Sequence, residues 1–188
     1  MIYYRTLNRP LLIQLLPVVL IGISAFFLSC AQENEKNRPS PLVKDSTIFQ
    51  GIELKVQYSS PRVRERQIWG DLVPYYRVWR TGANEATTFE CNEDLLVEGE
   101  LLEAGKYALF TIPEPETWTV IFNADWNQWG AYGYEGTINK RGKDDVLRLK
   151  VSPTETSKFY ERMEIIPREG SLLFRWEKLK FSLNLEKP

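Results

Sequence analysis

From about residue 45 onward the chain alternates apolar and polar residues with a period of two, and no useful length shows the three-to-four spacing of an amphipathic helix. Such a chain can bury its apolar side chains only by pairing strands and covering one sheet with another. Ile52, Leu54, Val56 and Tyr58 fall on one face of a segment read as a strand from Ile48 to Tyr58, with Glu53, Lys55 and Gln57 on the other. Ser59-Ser60-Pro61 stops it. Ala86–Glu90 and Asp94–Val97 read as short strands. Lys106–Ile112 and Trp118–Phe122 flank Pro113-Glu114-Pro115-Glu116, the pattern of a hairpin. Asp145–Val151, Phe159–Ile166, Leu172–Trp176 and Lys178–Leu185 complete the set. The fold expected over residues 45–188 is all-β: a single antiparallel sandwich, jelly-roll or immunoglobulin-like in type.

The first residues follow another rule. Arg5 and Arg9 precede an uncharged apolar stretch from Leu11 to Leu28, which Pro17 and Gly22 interrupt. It ends in Phe27-Leu28-Ser29-Cys30, a small residue directly before a cysteine. This resembles the lipobox of bacterial lipoproteins, with Phe27 where leucine is commonest. The expectation is a signal peptide over 1–29, lipidation (palmitate among the acyl chains) at Cys30, and a polar, proline-bearing tether over 30–44. An uncleaved membrane anchor is the alternative. Acyl chains hold a membrane at about 0.8 kcal/mol per buried methylene, so more than one makes a durable anchor. The expected location is the bacterial cell envelope, membrane-anchored, the outer membrane being favoured.

Charge and residue inventory exclude several chemistries. The chain holds 24 basic and 25 acidic residues, net −1. Removal of the leader takes two arginines and no acids, leaving 22 against 25. No clustered basic excess marks a nucleic-acid partner. Histidine is absent, which removes Ser-His-Asp and Cys-His catalysis and any imidazole zinc site. With Cys30 acylated, Cys91 has no disulfide partner in the chain and reads as a buried, inert thiol. Neither metal nor cofactor is expected.

Ile68–Phe89 is dense in aromatics, charges and turn residues: Ile68-Trp69-Gly70, Leu72-Val73-Pro74-Tyr75, Val78-Trp79-Arg80-Thr81-Gly82-Ala83-Asn84-Glu85-Ala86-Thr87 and Phe89. With Ala104–Pro113 and Trp126–Tyr132 this run resembles the domain of unknown function 2911 family of exported bacterial proteins, from about Tyr58 to the end of the chain. The resemblance implies an exported, β-rich domain and no activity.

The residues carry their own chemistry. Arg80 offers planar donors suited to a carboxylate, and Glu85 lies five residues on, across a turn-like link. A structural Arg80–Glu85 or Arg80–backbone clamp is one reading; a polar site for a sugar or carboxylate, made by Arg80, Asn84 and Glu85 beside Trp69 or Trp79, is the other. Trp69 and Trp79 read first as core. Trp126–Tyr134 reads as a loop that displays or tucks in its rings, with Trp129 and Tyr132 as ligand candidates. The leading expectation is a non-catalytic envelope binding or scaffolding module, with the membrane as one partner and a glycan or envelope protein as the other. A glycosidic hydrolase using Glu85 with Asp71 or Asp125 is the alternative; a purely structural envelope protein is the third.

Overall fold

The computed structural model describes residues 38–137 and 139–188. The segments expected to be signal peptide and lipidation site, with the expected tether as far as Asn37, lie outside the described residues. Pro39–Pro188 forms one compact unit. It contains both sheets and the whole described core, so it has what it needs to fold by itself.

Ten strands make two antiparallel sheets, and none of the described residues is helical. The larger sheet contains β1 (Leu42–Phe49), β2 (Ile52–Ser59), β3 (Ala83–Cys91), β6 (Gly105–Ile112), β7 (Trp118–Asn123) and β8 (Asp145–Val151), in that order. It is a meander broken once, where β4 (Leu95–Val97) and β5 (Glu100–Leu102) cross to the smaller sheet. The smaller sheet runs β5-β4-β10-β9, built on β9 (Thr154–Arg168) and β10 (Ser171–Glu186). This is the expected all-β sandwich.

Local geometry changes several boundaries. The segment read as one strand from Ile48 to Tyr58 is a hairpin: Gln50 (φ 50°) and Gly51 (φ 89°) form a two-residue turn and pair Phe49 with Ile52. Positive φ at both turn residues matches the twist of the flanking strands, and glutamine is a weak signal for it. Glu98 (φ 51°) and Gly99 (φ 80°) repeat the device between β4 and β5, a strand that the alternation does not reveal. β1 begins at Leu42, three residues inside the stretch read as tether. Leu172–Trp176 and Lys178–Leu185 join as β10, with a bulge at Glu177 (φ 55°) absorbing the break in alternation.

The inner faces meet where the alternation puts them. Ile52, Leu54, Val56, Phe89, Val120 and Phe122 face Met163, Ile165, Phe174, Leu183 and Leu185. Between β2 and β3 the chain leaves the sheet for residues 60–82, and Trp69 and Trp79 tie this excursion into the core. Trp69 packs edge-on against Trp118 at 4.8 Å and Trp176 at 5.7 Å. Trp79 stacks on Trp176 at 5.8 Å, 22° from parallel, and donates its Nε1 to Gly82 O at 3.0 Å. Trp176, 1% exposed, is the common partner. Trp176→Ala is expected to cost about 3–5 kcal/mol, whereas Ile48→Ser, at a side chain 72% exposed, should stay within about 0.5 kcal/mol; urea unfolding of residues 39–188 measures both.

Candidate functional site

The outer face of the larger sheet is divided in two. Over β6 and β7 it is apolar: Ala108, Phe110, Ile112 and Ile121 are buried there with Ala86, under Val78, Ala131 and Tyr134. The cover is the 124–144 connection between β7 and β8. Over β1, β2 and β3 the same face is polar and open.

One carboxylate holds the cover down. The Asp145 side chain is fully buried. It accepts from Asn123 Nδ2 at 2.9 Å, Tyr134 OH at 2.9 Å and the Gly142 amide at 2.7 Å. Arg148 Nη1 stands 3.9 Å away and supplies the compensating charge. The same guanidinium donates to Lys140 O at 2.8 Å and Thr137 O at 2.7 Å, stitching the far side of the loop to β8. Gly136 is required by close approach, since a Cβ there would lie 2.3 Å from the Tyr134 hydroxyl. Burial, and next the bond to Asp145, push the Tyr134 phenol well above the ordinary tyrosine value.

The anchored loop displays three rings along the boundary between the two halves. Trp126 is 40% exposed, Trp129 58% and Tyr132 85%. Beside them runs a groove formed by two adjoining hollows of about 250 and 270 Å³, which share Gln57, Thr88 and Lys106. The first adds Glu85, Trp126, Gln128 and Trp129; the second adds Lys44, Asp45, Lys55 and Glu90. Lys106 Nζ sits 4.3 Å from the centre of the Trp126 ring, a cation–π contact that fixes both at the groove floor. The groove therefore combines flat apolar rings with hydrogen-bonding side chains on a rigid sheet.

The residues singled out from sequence divide between this groove and the framework. Glu85 and Trp129 line it, and Tyr132 stands on the same loop. Asn84 is structural: it adopts φ 57° in the wide bulge of β3 and donates Nδ2 to Ser59 Oγ at 3.2 Å. Gly82 leaves no room for a side chain, with Thr87 Oγ1 2.8 Å from its Cβ position. Trp69 and Trp79 are partly buried and pack against the core. Among the described residues Arg80 makes no ion pair with Glu85, so that form of clamp is not found. Glu85 accepts from Ser59 Oγ at 3.0 Å, whereas Arg80 runs under the loop, its Nη1 3.3 Å from the Cβ position of Gly130.

The acids proposed for hydrolysis are not brought into one cavity. Asp125 lines a separate hollow with Tyr134 and Asp144, and Asp71 lies exposed in the 60–82 excursion. Cys91 is buried, and desolvation raises its thiol above the ordinary value. Gln57, Thr88, Glu90, Lys106 and Trp126 were not singled out from the sequence. For the four strand residues the signal is the polar phase of the alternation, which is also the pattern of any solvated strand face; Trp126 lies on the loop read as displaying or tucking in its rings.

Two outcomes follow from the Asp145 anchor. Asp145→Ala leaves Arg148 without its carboxylate and should cost about 3–5 kcal/mol, with amides of residues 124–144 exchanging faster than those of β2 and β3 in hydrogen-exchange mass spectrometry. Because the folded state holds the Tyr134 proton above the ordinary value of 10.0, stability from this group is complete below pH 10 and is lost as the pH rises beyond it. Tyr134→Phe should remove part of that alkaline decline in chemical unfolding measured across pH 9–12.

Comparison with known proteins agrees with the strand pattern and the motif. No curated protein and no solved structure matches the chain. The family described as "Protein of unknown function (DUF2911)" matches over residues 40–185, which takes in every strand of the sandwich but for the last residue of β10. The chain belongs to this DUF2911 family.

Proposed function

We propose that the protein is an exported, lipid-anchored binding module of the cell envelope, without catalysis of its own, whose groove holds a glycan. The observation that carries this reading is the display of Trp126, Trp129 and Tyr132 in water, on a loop pinned by a buried carboxylate, beside a floor of polar side chains. Exposed aromatic rings on a tightly held loop lose little conformational entropy when a ligand stacks on them. A pyranose offers a flat apolar face to the ring and hydroxyls to Gln57, Thr88 and Glu85. The groove cations Lys44, Lys55 and Lys106 are matched by Asp45, Glu85 and Glu90, a balance suited to a neutral polar ligand. The charged leader, apolar stretch and Ser29-Cys30 junction support export and acylation.

The test is calorimetric titration of residues 39–188 with oligosaccharides of the envelope and of plant and microbial polysaccharides. Trp129→Ala should lower the affinity of the ligand found by about tenfold, the scale of one well-placed aromatic anchor, while the melting temperature stays unchanged. No heat and no change in tryptophan fluorescence across the whole panel overturns the reading.

A further inference from the structure

Three features that each cost stability meet at one place, next to where the described chain enters the sandwich. Entry is marked by the Ser60 amide donating to Pro41 O at 2.9 Å. Just beyond, Arg62 and Arg162 face each other across an isolated antiparallel bridge, and like charges directly opposed on a sheet repel. The Nη1 of Arg162 is buried with no acceptor among the described residues, which costs stability. Arg64 (φ 49°) and Glu65 (φ 59°) are consecutive left-handed residues, a conformation that only glycine adopts without strain. Strain of this kind gathers where binding uses it.

The turn is closed by its own arginine. Arg66 donates Nε to Val63 O at 3.1 Å and Nη2 to Arg62 O at 2.6 Å. Among the described residues none of Arg62, Arg64, Arg66 and Arg162 forms an ion pair. Glu161 instead accepts from the Arg64 amide at 3.2 Å. These four arginines meet three carboxylates, Glu65, Glu161 and Glu177. A hollow of about 340 Å³ adjoins them, lined by Val63, Ile68, Trp69 and Phe159 together with Glu65, Arg66, Gln67 and Glu177, with Phe159 48% exposed.

We propose that this patch docks the domain on an anionic phospholipid surface. The guanidinium forks take lipid phosphates, whose oxygens match their paired donors. Phe159 and the apolar wall of the hollow meet the boundary between headgroup and acyl chain. A soluble phosphate would use the same arginines and leave the apolar wall idle, which is why the lipid surface is the occupant. The docking needs neither the glycan groove, which lies on the outer face of the other sheet, nor the acyl anchor.

The experiment is co-sedimentation of residues 39–188, which lack Cys30, with vesicles of phosphatidylcholine alone or containing phosphatidylglycerol. The domain should bind the mixed vesicles preferentially, and raised salt should release it. Arg62→Gln and Arg64→Gln, at exposed side chains, should each lower the partition coefficient about fivefold with the melting temperature retained. Phe159→Ser should weaken binding on a surface whose charge is unchanged. Equal binding to both vesicles, binding to neither, undiminished binding of the arginine double variant, or full competition by millimolar inorganic phosphate would each overturn the proposal.

Discussion

The sandwich depends on one meeting of indole rings. Trp118 comes from β7, Trp176 from β10, and Trp69 and Trp79 from the excursion between β2 and β3. Three separate parts of the chain must therefore arrive together before any of these rings leaves water. An aromatic side chain buries roughly 150–250 Å², so the cluster contributes strongly to the cohesion of the core. It explains how 23 residues without a regular strand, 60 to 82, remain part of a compact unit. It also fixes where β3 begins, because Trp79 Nε1 and Thr87 Oγ1 hold the carbonyls of Gly82 and Thr81 and so shape the bulge that follows.

The candidate site uses a different kind of anchor. A fully buried Asp145 with three donors and a nearby guanidinium turns a long connection into a lid fixed on the outer face of the sheet. Apolar contacts alone would leave such a lid free to slide; directional bonds to one carboxylate give it a single position. The aromatic rim and the polar floor thus keep a constant relation, which a binding surface needs and a mere core cover does not.

The fold was legible because its signal is repetitive. The period of two marks the strands that are half-buried, and Pro113–Glu116 marks the hairpin between β6 and β7. Boundaries failed where a turn used unhelpful residues. Gln50-Gly51 and Glu98-Gly99 take the conformation that Asn-Gly or Asp-Gly would announce. The site was half legible. Glu85, Trp129 and Tyr132 stood out as types, and Glu85 and Trp129 line the groove. Gln57, Thr88 and Lys106 come from three strands, and only the register of β2, β3 and β6 brings them together. Spacing along the chain holds no trace of that register, and neither does it show that Arg80 and Glu85 diverge at the bulge.

The position of β10 constrains how the chain can reach this state. It is an interior strand of the smaller sheet, with β4 on one side and β9 on the other, although it comes after the other nine described strands in chain order. Until residues 171–186 exist, β4 and β5 have no sheet to join, Trp79 has no stacking partner from the opposite layer, and the apolar face of the larger sheet is uncovered. A chain synthesised from its N-terminus therefore cannot complete this core until residues 171–186 have been made. That order gives β10 the role of a latch that commits the sandwich to its folded form.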